Sequence, residues 1–277
     1  MISIENLHFS YPKKEIFKGL NLRIKQGYIY GLLGKNGTGK STLLSNIAGL
    51  LFPKSGRINV LGCNPCDRRP AFLQDIFLIP EEFYLPDISI SKFVKYTAPF
   101  YHWFNEELFN DYLREFDITF KNNLQNLSYG QKKKVLISFG LAANTSLLLM
   151  DEPTNGLDIA GKSQLRKIIA GAFNEKKSIV ISSHQVRDLE NLVDRVIIID
   201  EGEIMLNESL QHIALKLLFK ITFDPSDITY AIYTEPLLRG NAVIVPNIES
   251  EESKIDLELL YKATLANPKL IQSIFKA

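Results

Sequence analysis

The sequence predicts an α/β fold built around a parallel sheet, and three stretches carry that expectation. Residues 28–33 form an apolar, strand-like run that enters the glycine-rich segment GKNGTGKST at 34–42, after which Leu43, Leu44, Ile47 and Ala48 recur at helical spacing. Residues 147–150, Leu-Leu-Leu-Met, end at Asp151-Glu152-Pro153, the pattern of a parallel strand buried on both faces. Residues 179–183 read as another strand, which ends at His184.

Strand, glycine loop and helix together are the setting of a phosphate-binding loop. Gly34, Gly37 and Gly39, with Asn36 between them, let the backbone bend so that successive N–H groups point at a polyphosphate. The helix start adds the positive end of its dipole. Lys40 would reach the terminal phosphates, Ser41 carries the hydroxyl suited to a bound Mg²⁺, and Thr42 offers a second hydroxyl near the phosphates.

Composition narrows the partners. The 277 residues suffice for one large domain with an appendage, and 32 Lys plus Arg against 31 Asp plus Glu give no basic field for nucleic acid. The phosphate partner should therefore be small. No apolar run reaches membrane-spanning length and the first residues lack a signal-peptide pattern, so a soluble chain that stays in the cytoplasm is expected. Cys63 and Cys66 form a CxxC with no second ligand pair nearby, which reads as an incidental turn, with a redox pair as the alternative.

In chain order, Ile2, Ile4 and Leu7, then Leu20, Leu22 and Ile24, alternate as antiparallel strands broken at Tyr11-Pro12. Tyr11 offers a face that could stack on a purine, or is an ordinary strand-end tyrosine. A strand at about 55–62 follows, then the short run 76–79, which ends in Pro80-Glu81-Glu82. Glu81 stands where a carboxylate can face a ligand beyond the sheet edge, or is a solvated loop charge. From Ser89 to about Leu124 the pattern is helical and aromatic-rich, with most rings expected in the core of a helical insertion and the rest on an apolar docking face.

Ser128 has N-cap chemistry and, with Gly130, would open a helix whose start makes an anion site; alone it reads as an ordinary cap. Lys132, Lys133 and Lys134 read as a solvated face. Asp151 would support Mg²⁺ and Glu152 would polarise an attacking water. Residues 155–158 form a turn, and 195–204 a hairpin turning near Gly202.

These motifs, in this order, resemble the ATP-binding cassette (ABC) family, the ATPase subunits of ABC transporters, over about residues 1–215. The resemblance implies a phosphate-loop NTPase (RecA-like) core with an antiparallel β subdomain and a helical insertion at about 88–145. It implies ATP and Mg²⁺ as ligands, Tyr11 as the adenine-stacking aromatic, residues 34–42 as the Walker A loop and 147–152 as the Walker B strand. Residues 127–131, with Ser128, Gly130 and Gln131, match the family's signature; 155–158, ending in Asp158, match its D-loop; His184 matches its switch histidine.

Two positions depart from the family's usual pattern. The signature reads Leu-Ser-Tyr-Gly-Gln, with Tyr129 where glycine is common, and Glu81 stands where a Q-loop glutamine usually contacts Mg²⁺ and the attacking water. A similar Pro-Glu-Glu occurs in the branch serving multidrug, lipid and antibiotic exporters, which this sequence resembles more than importers. The family's mechanism implies two cassettes paired head to tail around ATP, as a homodimer, and separate transmembrane permease subunits that hold the chain on the inner face of the membrane. Phe83, Tyr84, Phe100, Tyr101 and Trp103 are the candidates for the permease contact.

Beyond about Leu215, two strand-like runs at 218–223 and 242–245 and a helical run at 257–263 suggest a small α+β appendage over 216–277 without site chemistry. A soluble cassette that remodels a macromolecular complex is the rival reading, disfavoured by near-zero net charge and a single cassette. A binding-only regulatory cassette is disfavoured by Lys40, Asp151, Glu152 and His184.

Overall fold

Strand alternation at the N-terminus produces the expected hairpin. In the computed structural model, which describes residues 1–275, β1 (Ile2–Tyr11) and β2 (Lys14–Ile24) pair antiparallel and turn Ile4, Leu7, Phe17 and Leu20 inward. β3 (Ile29–Leu33) is buried at every position, α1 (Lys40–Ile47) follows the glycine loop, and β4 (Ser55–Val60) returns to pair with β1. This closes a three-stranded antiparallel sheet, β2-β1-β4. Cys63 and Cys66 are free thiols in the turn that follows, where Asn64 caps a short 3-10 helix.

α2 (Pro70–Gln74) and β5 (Ile76–Ile79) lead to the helical insertion of α3 (Ile90–Thr97), α4 (Glu106–Glu115) and α5 (Tyr129–Ala142). Ser89, Asn105 and Ser128 each cap the helix they precede through a side-chain oxygen, satisfying one of its free N–H groups. The chain then alternates β6 (Leu147–Asp151), α6 (Ile159–Ala172), β7 (Ser178–Ser183), β8 (Arg195–Asp200) and β9 (Glu203–Ser209). The main sheet runs β5-β6-β7-β3-β8-β9, parallel except for the β8–β9 hairpin. Its apolar strands need cover on both faces. One face carries the aromatic core of the insertion around Phe77, Phe109 and Phe139; the other buries Leu43, Leu44 and Ile47 with the small antiparallel sheet.

After α7 (Leu210–Lys216), β10 (Leu217–Thr222), α8 (Pro225–Thr229), β11 (Tyr233–Pro236) and β12 (Asn241–Pro246) build a third sheet in the order β10-β12-β11. α9 (Leu257–Ala266) and α10 (Pro268–Phe275) follow. Leu217, Phe219, Leu257, Leu260 and Ile271 belong to the same buried cluster as Ile198 and Leu206 of the main sheet. Glu258 of α9 meets Arg187 at 3.0 Å, just past His184. Among the described residues no helix is long and apolar enough to cross a membrane.

The insertion divides the docking candidates. Tyr84, Phe100 and Trp103 are exposed, whereas Tyr101 packs on Phe77 and Phe139 in the core. Phe83 stacks on Tyr129, with ring centroids 5.2 Å apart. Of the five candidates, Tyr101 and Phe83 pack internally instead: Tyr101 ends the 3-10 turn Ala98–Phe100, where the local helix phase turns it inward, and half-buried Phe83, on the loop after β5, lies against Tyr129.

Candidate active site

Parallel strands deliver their C-terminal ends to one edge of the sheet, and the loops that leave β3, β5, β6 and β7 gather there. The glycine loop wraps around its own lysine: Lys40 Nζ donates to the carbonyl oxygens of Gly34 at 2.8 Å and Lys35 at 3.2 Å. Gly39 has φ +108°, and a Cβ there would sit 2.8 Å from Phe17, so this bend admits no side chain. Ser41 is exposed at the start of α1, and Thr42 lies below it with its Oγ1 3.4 Å from the Tyr11 hydroxyl. Tyr11 is itself 44% exposed and held edge-on by Phe9, which leaves a face of the ring free. Lys14 crosses from the β1–β2 hairpin to the Gly37 carbonyl at 3.3 Å, while Asn36 and Gly37 are exposed.

Two carboxylates at the end of β6 are fixed differently. Ser182 on β7 donates its hydroxyl to Asp151 Oδ1 and accepts the Glu152 backbone N–H at 3.0 Å. Glu152 takes a left-handed backbone conformation, φ 46°, which few non-glycine residues adopt. Its side chain is 3% exposed, with Oε1 3.4 Å from Lys40 Nζ and Oε2 2.9 Å from His184 Nδ1. This buried carboxylate lies between a lysine and a histidine, neither of which satisfies its oxygens with a well-aligned hydrogen bond, so both oxygens keep acceptor capacity that a group entering the site could use.

Glu81 beyond β5 turns to the neighbouring turn, where its Oε1 accepts from Asn155 Nδ2 at 2.8 Å. Lys133 corrects the expectation of a solvated lysine face: it is fully buried and donates to the carbonyls of Glu152 at 2.8 Å and Asn155 at 3.3 Å. Desolvation pulls its pKa below the usual lysine value, opposed by the charges of Glu81, Glu152 and Asp151. Its spacing to Ile137 and Leu141 on the inner side of α5 is the signal that would have revealed it. Ser182 was equally hidden, as one of two serines ending an apolar strand.

Other candidates stand apart. Ser128 and Gln131 form a capping box, with Gln131 N donating to Ser128 Oγ at 3.2 Å and Ser128 N to Gln131 Oε1 at 3.0 Å. Asp158 caps α6 through the Gly161 N–H at 2.8 Å. Among the described residues no hydrogen bond or ion pair joins Ser128, Gly130, Gln131 or Asp158 to the glycine loop.

A glycine loop on a buried parallel strand, facing a buried carboxylate at the end of the next strand but one, defines a phosphate-loop nucleotide hydrolase. The ABC transporter family pattern matches residues 17–155, and the chain belongs to that family. It is an ATP-binding, ATP-hydrolysing subunit of an ABC transporter.

Among its relatives, the lantibiotic transport ATP-binding protein SrtF of Streptococcus pyogenes is 35% identical over 75% of this chain and 90% of its own length. The linearmycin resistance ATP-binding protein LnrL of Bacillus subtilis (strain 168) is 27% identical over 98% of this chain and 93% of its own length. The solved structure of cbiO1 from Clostridium perfringens, part of the ABC transporter complex cbiONQ, superposes with a TM-score of 0.62 at 29% identity, over 75% of this chain and 88% of that one.

Proposed function

We propose that this subunit is the motor of an exporter-type ABC transporter, in which two copies close head to tail on ATP and drive separate permease subunits. The observation that carries the reading is Glu152 held between Lys40 and His184 at the end of β6. Tyr11 would stack on the adenine, Gly34, Asn36, Gly37 and Gly39 would present backbone to the phosphates, and Lys40 would leave its loop carbonyls for the terminal phosphates. Glu152 then accepts the proton of the attacking water, with His184 on the γ-phosphate. Ser128, Gly130, Gln131 and Asp158 would serve the ATP held by the other copy.

The donor set fits Mg²⁺. Among the described residues no group of three or more His, Cys, Asp and Glu side chains makes a cage for a metal, whereas Mg²⁺ asks for one or two carboxylates and hydroxyls that share it with phosphate oxygens. Ser41, Asp151 and Glu81 would hold it, and it would neutralise charge on the phosphates. Ser182 bonds Asp151 at Oδ1, and among the described residues no hydrogen bond is made to its Oδ2.

A cavity of about 460 Å³ lined by Leu50, Leu73, Leu78 and Phe100 lies beside β5 and the insertion, next to exposed residues suited to a permease helix. Residues 1–215 would form the ATPase unit and 216–277 an appendage on it. Relatives named for lantibiotic, bacitracin and linearmycin systems support export of an antibiotic-like compound. The test is Glu152→Gln with saturating Mg-ATP: light scattering should show a dimer while turnover falls at least 100-fold. A variant that stays monomeric would refute the sandwich; one that still turns over would refute the assigned base.

A further inference from the structure

Tyr129 is the aromatic residue at the first turn of α5, and the loops that follow β5 and β6 lie against it. Its hydroxyl donates to the backbone carbonyl of Glu81. Its ring stacks on Phe83 with planes 19° apart, so two consecutive features of the segment after β5 are fastened to one side chain. The other side of the ring meets the turn after β6: a Cβ at Gly156 would lie 3.0 Å from Tyr129 Cδ1. Lys133 Nζ sits 5.5 Å from the ring centroid while it holds the carbonyls of Glu152 and Asn155. Glu81 completes the circuit through Asn155 at 2.8 Å.

We infer that Tyr129 is a positioning residue for ATP hydrolysis: it fixes the Glu81 segment on the helix that opens at Ser128, so that the Glu81 carboxylate is aimed at the turn after β6. Two physical points support this. A carboxylate on a loop is only as well placed as the backbone carrying it, and here that backbone has its carbonyl bonded and the aromatic side chain two residues on stacked on the same residue. The segment also continues into exposed Tyr84, so a displacement there reaches Glu81 through a ring already in contact with it. Tyr129 thereby ties the segment after β5 that bears exposed Tyr84 to the site within one subunit. The inference rests on the proposed catalytic roles of Glu81 and Glu152.

The test is steady-state Mg-ATPase of the full chain for Tyr129→Phe, Tyr129→Leu, Glu81→Ala, the double variant Tyr129→Phe/Glu81→Ala, and Glu152→Gln. Tyr129→Phe keeps the ring and loses one hydrogen bond, so kcat should fall about three- to tenfold with KM for ATP within twofold. Tyr129→Leu, which also loses the stack, should fall further. The decisive result is non-additivity: in the Glu81→Ala background Tyr129→Phe should change kcat by less than twofold, because the group it aims is gone. Multiplying effects would mean that Tyr129 acts elsewhere and would overturn the inference, as would wild-type kcat in Tyr129→Phe or in Glu81→Ala. Thermal unfolding separates a folding defect, since a midpoint lowered by many degrees would account for lost activity in Tyr129→Leu but not for the cycle built on the conservative variant. Full turnover in Glu152→Gln would instead remove the catalytic reading and the inference with it.

Discussion

Replacing Lys177 by methionine should stabilise the protein at neutral pH and reverse that gain in alkali. Lys177 is 3% exposed, and among the described residues its ammonium has one partner, the Leu141 carbonyl at 3.0 Å. Desolvation pushes its pKa down from 10.5 to about 8. At ~1.4 kcal/mol per pKa unit, holding the charged form inside at pH 7 costs about 3 kcal/mol. Methionine removes that cost and loses one hydrogen bond of about 1 kcal/mol, while the Leu141 carbonyl keeps the Asn144 N–H at 3.3 Å. The net gain at pH 7 is about 2 kcal/mol.

The unfolded chain binds a proton at Lys177 more tightly than the folded one, so the parent gains stability as pH rises from about 8 to 10.5. The methionine variant has no such group, and its advantage should shrink over that window and turn into a deficit of about 1 kcal/mol near its top. Urea unfolding of both proteins at half-unit steps from pH 7 to 10, followed by circular dichroism, gives the difference directly and cancels the other titrating groups. A difference that stays constant with pH, or a variant less stable at pH 7, would refute the reasoning.

Two further outcomes follow from the site. Lys133→Met leaves the carbonyls of Glu152 and Asn155 without their buried ammonium and should cost roughly 2–4 kcal/mol in urea unfolding, with turnover reduced; an unchanged midpoint would contradict the clamp. Tyr11→Ala should raise KM for ATP about three- to tenfold and leave kcat unchanged, since stacking binds the base equally in ground and transition states; a loss confined to kcat would place Tyr11 elsewhere.

The parts of the fold that could be read from sequence were those set by local chemistry. The loop at 34–42 needs its glycines, lysine and hydroxyl in fixed order, and β6 needs an apolar run that ends in carboxylates, so both were visible without neighbours. The hairpin of β1 and β2 followed from alternation. β11 was missed because Tyr-Thr-Glu-Pro neither alternates cleanly nor runs apolar, and it is a strand only because β12 offers an edge. Lys133 and Ser182 were missed for a related reason: a buried polar side chain is held by backbone atoms distant in sequence, and only the assembled sheet shows which carbonyl or carboxylate it meets. Ser128 was legible as a cap from its own chemistry, which the structure bears out, while the reciprocal bond from Gln131 that completes a capping box was not anticipated.

The strand that carries the glycine loop sits in the middle of the sheet yet near the beginning of the chain. Its neighbours are β7 and β8, with Ile29 opposite Ile179 and Tyr30 opposite Arg195. During synthesis the loop therefore leaves the ribosome on a strand that has no pairing partner until residues 178–200 have followed it out. Pairing over such separations is slow and leaves an apolar edge open meanwhile. Until then the five residues Ile-Tyr-Gly-Leu-Leu, all buried in the finished sheet, form an apolar segment with nothing to pair with.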